Sequence, residues 1–179
     1  MSASANTERR AFAAEVRASG RRLEGYVATF GAEARIGTFT ETIRAGAFRD
    51  TLAAGGDKLA LVDHDPGRVL ARTRSGTLRL AEDTRGLAFD LDVPETQAGR
   101  DVLALASRGD VGGMSFGFST RDEAWDGTKR ELRAVELYEI SVVLAWPAYG
   151  QTEINVRSAG AQGSLRSRLA RLHLHAMRP

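Results

Sequence analysis

The sequence predicts a mainly β domain with a few short helices, an α+β protein. Three observations carry that expectation. Short runs rich in apolar and β-branched residues recur between Arg22 and Trp146, separated by turns bearing Gly, Pro or Asp. Within that stretch, residues 96–108 give the clearest helical spacing of apolar side chains. The chain has 179 residues, 42% of them hydrophobic, enough for one domain with a proper core.

The elements follow in order. Residues 1–21 mix Ala, Ser, Arg and Glu and are expected to form a flexible leader, with a short helix near Ala11 to Ala18. Leu23 to Phe30 has the partial alternation of a first strand, and Phe39 to Ile43 fits a second. Gly46 to Ala54 reads as a short helix stopped by Gly55-Gly56. Lys58 to Asp63 is an apolar strand that delivers His64 at its end, where Pro66-Gly67 turns the chain. Arg68 to Arg72, Gly76 to Ala81 and Gly86 to Val93 make an antiparallel meander. Thr96 to Arg108 is a helix, with Val102, Leu103, Leu105 and Ala106 on its apolar face and Gly109 as its cap. Met114 to Thr120 is a strand, and a loop through Trp125-Asp126-Gly127 leads to a long central strand from Glu131 towards Trp146. Pro147 to Gly150 ends it, and a basic helix is expected from Leu165 to Leu174.

Composition excludes several kinds of chemistry. The chain has no cysteine, so disulfides, thiolate nucleophiles and cysteine-ligated zinc are ruled out. Covalent catalysis must then use an oxygen or a lysine, and lysine occurs only as Lys58 and Lys129, so a lysine mechanism has few candidates. No apolar run reaches the roughly 18 residues of a membrane span, and residues 1–22 lack a signal-peptide core. The expectation is a cytosolic protein with no membrane partner. A sequence pI near 9.4 suggests nucleic acid, yet the formal net charge is only +2. The basic excess gathers after Glu153, in a basic tail on a near-neutral body.

Within the body His64 is the only histidine, because His173 and His175 lie in the tail. It stands between Asp63 and Asp65, where it is a surface residue, a metal ligand or a catalytic base. Adjacent strand residues point to opposite faces, so the Asp-His-Asp run converges poorly on an ion, and no metal or cofactor is expected. Ser115 follows Gly112-Gly113 and precedes Gly117. It reads either as a buried strand serine or as a nucleophile whose glycine neighbours let a substrate backbone approach. No helix pattern follows it, which sets it apart from the α/β-hydrolase elbow. A third member comes from Glu136 or Glu139, which strand alternation puts on opposite faces. Glu139 is favoured, because its apolar surroundings make an unpartnered charge costly.

Glu41 to Phe48, His64-Asp65, Gly86-Leu87, Gly113 to Phe118, Leu137 to Val143 and Pro147-Ala148-Tyr149 occur in the order found in the prohead maturation proteases of HK97-like tailed phages. The chain resembles that family from about Leu23 to Val156. The resemblance implies a small, mostly antiparallel β-barrel of the herpesvirus assembly protease type, with short helices around it. It also implies a serine endopeptidase that works inside the immature capsid in the host cytoplasm. Such enzymes cleave scaffold or the scaffolding part of the major capsid protein, and commonly themselves. Carried onto this chain, the nucleophile is Ser115, the base His64 and the acid Glu139, separated by 51 and 24 residues. The herpesvirus pattern has arginines soon after its third triad member, whereas here no Arg or Lys lies between Glu139 and Arg157, so the oxyanion donors stay unassigned.

The resulting organisation is a leader (1–21), a protease domain (22–156) and a basic tail (157–179). The tail is either a solubilising segment or a targeting helix removed by self-cleavage, and its charge suits a contact with packaged DNA. A homodimer is implied by the herpesvirus relatives alone. Two rival functions are a capsid assembly or scaffold module without catalysis, and a nucleic-acid-binding domain. The second is disfavoured because basic residues gather in the tail rather than interleaving with aromatics.

Overall fold

In the computed structural model, residues 7–12 and 16–145 are described, and their strand-favouring runs pair into two sheets. In chain order the strands are β1 (Glu8–Phe12), β2 (Arg17–Ser19), β3 (Arg22–Thr29), β4 (Ala34–Ile36), β5 (Phe39–Ile43), β6 (Leu59–Val62), β7 (Asp65–Arg72), β8 (Leu78–Glu82), β9 (Gly86–Asp92), β10 (Gly113–Asp126) and β11 (Lys129–Val143). The helices are α1 (Arg49–Ala53) and α2 (Gln97–Arg108). The protein is mainly β with little helix. Both sheets are open, and no closed barrel is found among the described residues.

The long strand β11 organises the larger sheet. One edge pairs antiparallel with β10, while the other pairs parallel with β5 through Lys129–Leu132 and with β6 through Glu139–Val142. Apolar residues on both faces of its C-terminal half make this central position favourable: Leu137, Ile140 and Val142 are fully or almost fully buried. The smaller sheet has the order β2-β3-β9-β8. Between the sheets, Leu23, Phe89, Leu91, Phe116 and Phe118 join one core. The Phe116 ring stacks on Phe12 at 5.9 Å and meets Phe48 edge-on at 5.5 Å, which anchors β10 against β1 and α1.

Several elements depart from the sequence expectation. Residues 8–12 and 17–19, assigned to a flexible leader, are strands: β1 pairs with β10 and β2 with β3. The helix expected over Ala11 to Ala18 is therefore absent at Ala11, Phe12, Arg17 and Ala18, because pairing to open sheet edges satisfies those backbone groups instead. The meander is split, since β7 pairs with β6 in the large sheet whereas β8 and β9 pair in the small one. Pro66-Gly67 lies inside β7, and the turn before it is Asp63-His64. Trp125 and Asp126 lie in β10, and the hairpin turns at Gly127-Thr128, where Gly127 has φ +57°. Strand β4 had no clear signal in the sequence. Pro147 to Gly150, the helix from Leu165 to Leu174, His173 and His175 lie outside the described residues.

Helix α2 matches its sequence signals. The Thr96 side chain accepts from the Gly99 amide at 3.2 Å, and Gly109 closes the helix in the left-handed region at φ 76°. Ahead of α1 the entering turn is held from afar: Glu82 accepts from Gly46 N–H and Phe48 N–H at 2.6 and 3.0 Å.

Candidate active site

Antiparallel pairing places Ser115 directly opposite Ser141, and Gly117 opposite Glu139. Residues paired in this way project on the same face, so β10 contributes Ser115 and β11 contributes Glu139 and Ser141 to one surface of the sheet. Strand β6 runs beside β11, with Leu61 opposite Ser141. The turn that follows it brings His64 over that surface.

The turn is a two-residue hairpin with Asp63 at φ 50° and His64 at φ 59°, both left-handed. Two consecutive non-glycine residues in this region store backbone strain of about 1–3 kcal/mol each. Neighbouring bonds hold the turn in place. Asp63 N–H donates to Val142 O at 3.0 Å, and Leu144 N–H donates to Asp63 Oδ1 at 2.9 Å. His64 N–H donates to Ser141 Oγ at 3.0 Å.

The imidazole Nδ1 of His64 lies 2.6 Å from Glu139 Oε1, and both side chains are about one-seventh exposed. The other carboxylate oxygen, Oε2, accepts from Ser141 Oγ at 3.0 Å. Gly117 makes room for this carboxylate: a Cβ there would stand 2.5 Å from Glu139 Oε1. Ser115 is 1% exposed, and its Oγ has no hydrogen-bond partner. The structure therefore joins His64 to Glu139 and seats Ser115 on the same face, without a His64–Ser115 hydrogen bond.

Glu136 is engaged elsewhere. Its Oε1 accepts from Thr51 Oγ1 at 3.1 Å, and its Oε2 pairs with Arg121 at 3.2 Å. The acids beside His64 are also taken up locally: Asp63 as above, and Asp65 by the Gly67 amide at 2.8 Å. Among the described residues no group of three or more His, Asp or Glu side chains could hold a metal ion. Ser141 was not singled out in the sequence, although its position two residues after Glu139 puts it on the same strand face.

The family model described as Caudovirus prohead serine protease matches residues 9–165. The chain belongs to that family. As a Caudovirus prohead serine protease it is a serine protease of capsid maturation, with capsid protein as substrate and the procapsid in the host cytoplasm as its place of action. Comparison with curated proteins and with solved structures gives no match. The family match begins within β1, so it includes the edge strand beside Ser115 as well as the hairpin that carries His64. No helix among the described residues is long and apolar enough to cross a membrane.

Proposed function

We propose that this prohead protease is a serine endopeptidase whose triad is Ser115, His64 and Glu139. Its substrate is scaffold or the scaffolding region of the major capsid protein, and it also cleaves itself. The observation that carries the reading is the 2.6 Å contact between His64 Nδ1 and Glu139 Oε1 on the sheet face that holds Ser115. A carboxylate on Nδ1 holds that nitrogen as the N–H, leaving the Nε2 lone pair as a base.

His64 Nε2 takes the Ser115 proton as Oγ bonds to the scissile carbonyl carbon. The imidazolium then gives that proton to the leaving amine nitrogen as the C–N bond breaks, leaving an acyl-serine. Water repeats the sequence: His64 takes its proton, hydroxide attacks the ester, and Ser115 Oγ departs with the proton returned. Base catalysis of this kind contributes about 10²–10⁴-fold in rate. The protease domain in this reading spans residues 22–156, and β1 extends it towards the N-terminus. Residues 157–179 are a basic targeting tail removed by self-cleavage. The kinship to herpesvirus assembly proteases, with their dimer, belongs to the same proposal.

Co-expression with the cognate capsid precursor tests the reaction and the nucleophile together. Wild type is expected to shorten the precursor, and Ser115→Ala to leave it intact. An organophosphonate is expected to label Ser115 in the wild type but not in His64→Ala. The burial of Ser115 favours a second reading, an assembly module that keeps the fold without catalysis. Mature particles from Ser115→Ala would favour that module and overturn Ser115 as the nucleophile.

A further inference from the structure

We infer that Ser141 is a positioning residue of the triad, setting the geometry of both His64 and Glu139 without touching substrate. The inference rests on the triad reading above. Ser141 is fully buried, so no solvent competes for its hydroxyl. It makes two hydrogen bonds of 3.0 Å: it accepts from the His64 backbone N–H and donates to Glu139 Oε2.

The direction of these bonds is forced. A backbone N–H can only donate, so Ser141 Oγ accepts there and its own proton remains for the carboxylate. Glu139 then has both oxygens assigned, Oε2 to Ser141 and Oε1 to the imidazole. The last torsion of a glutamate is broad and roughly two-fold, so it does not set the plane of the carboxylate. Ser141 supplies that constraint.

The same hydroxyl ties down the base. His64 occupies a left-handed conformation unusual for a residue with a Cβ, and its amide is held by Ser141. A closed ring results, running from the His64 backbone through Ser141 and Glu139 to the His64 ring. Removing the hydroxyl frees the carboxylate to turn and loosens the turn that aims the imidazole. The Glu-x-Ser spacing from Glu139 to Ser141 is thus a functional unit, with the carboxylate and the group that orients it on one strand face.

The test uses the full chain and an organophosphonate, reading the rate of Ser115 labelling together with the downfield proton resonance of His64 Nδ1–H. Ser141→Ala is expected to label about 10- to 100-fold more slowly, the range spanned by one hydrogen bond to a charged group. Its Nδ1 resonance should shift or broaden. Ser141→Thr and Ser141→Val have the same shape, and only Thr keeps the hydroxyl, so Thr is expected to label at least about tenfold faster than Val. That pair carries the test if the Ala variant does not fold. Labelling of Ser141→Ala within twofold of wild type, or equal rates for Thr and Val, would overturn the role of Ser141 while His64→Ala stays inert. A wild type that resists the probe, or His64→Ala that labels as fast, would overturn the triad itself.

Discussion

Gly117 shows how much of the site depends on an absent atom. Its hypothetical Cβ meets Glu139 Oε1 at 2.5 Å, and the obstacle is the far end of a flexible side chain rather than backbone. Gly117→Ala is therefore expected to fold, with a melting temperature lowered by the hydrogen bonds that Glu139 gives up to His64 and Ser141. The carboxylate should swing off His64, lowering the rate of precursor cleavage by about 10²-fold or more. A variant that keeps wild-type cleavage would show that the close approach of Glu139 to Gly117 has no part in the reaction. The contrast between Glu139 and Glu136 belongs to the same scale. Apolar surroundings in the sequence singled out Glu139, but only the folded chain shows that Thr51 and Arg121 occupy Glu136 while His64 occupies Glu139.

At the scale of elements, the most legible pieces were those whose signals are local. Thr96 and Gly109 mark the two ends of α2 because capping requires a side-chain acceptor at one end and a left-handed residue at the other. Thr96→Ala is expected to cost about 1 kcal/mol of stability, read by denaturant unfolding. Gly86 makes a harsher constraint, because a Cβ there would lie 2.0 Å from the Ala28 carbonyl oxygen, part of the β3 backbone. Gly86→Ala should cost about 2–3 kcal/mol, since two paired strands must separate to admit the methyl. Calorimetry on the two variants would order them, and an equal loss would contradict the difference in their causes. Strands β1 and β2 were illegible for the opposite reason: short, polar or Ala-rich runs form strands only when a partner edge is present.

Across the whole molecule, a buried ion cluster fastens β1 to the large sheet. Arg10 donates to both oxygens of Glu41 at 2.7 and 2.9 Å, and Arg130 shares one of them at 2.9 Å while also pairing with Glu8 at 2.7 Å. Glu41 is only 2% exposed, so stripping a partner leaves a buried charge. Arg130 still holds one Glu41 oxygen when Arg10 is removed, so Arg10→Ala is expected to lose about 1–3 kcal/mol and to loosen β1, a change that amide hydrogen exchange at residues 8–12 would register. Burial alone would raise the Glu8 carboxyl, yet hydrogen bonds from Arg130 and Thr120, with Arg10 nearby, hold it down at about 2 against an ordinary 4.5. A depressed acid stabilises the fold at pH above its unfolded value. That contribution should be complete above about pH 4.5 and disappear as pH falls towards 2, and Glu8→Gln should flatten the acid limb of a stability profile.

The residue inventory was legible without any fold. Without cysteine and with one histidine outside the tail, His64 and Ser115 were the prominent candidates for covalent hydrolysis, and ordered blocks from Glu41 to Tyr149 resembled the family that the chain belongs to. Alternation and capping also placed most strands and α2, because those signals act within a few residues. Tertiary structure decided everything that depends on pairing between distant segments. The parallel placement of β6 beside β11, the left-handed turn at Asp63-His64 and the Ser141 hydroxyl shared between His64 and Glu139 arise from register and strain across the sheet. Local propensity carries no information about these, since each contact joins side chains or backbone groups that only the assembled sheet brings within hydrogen-bond reach.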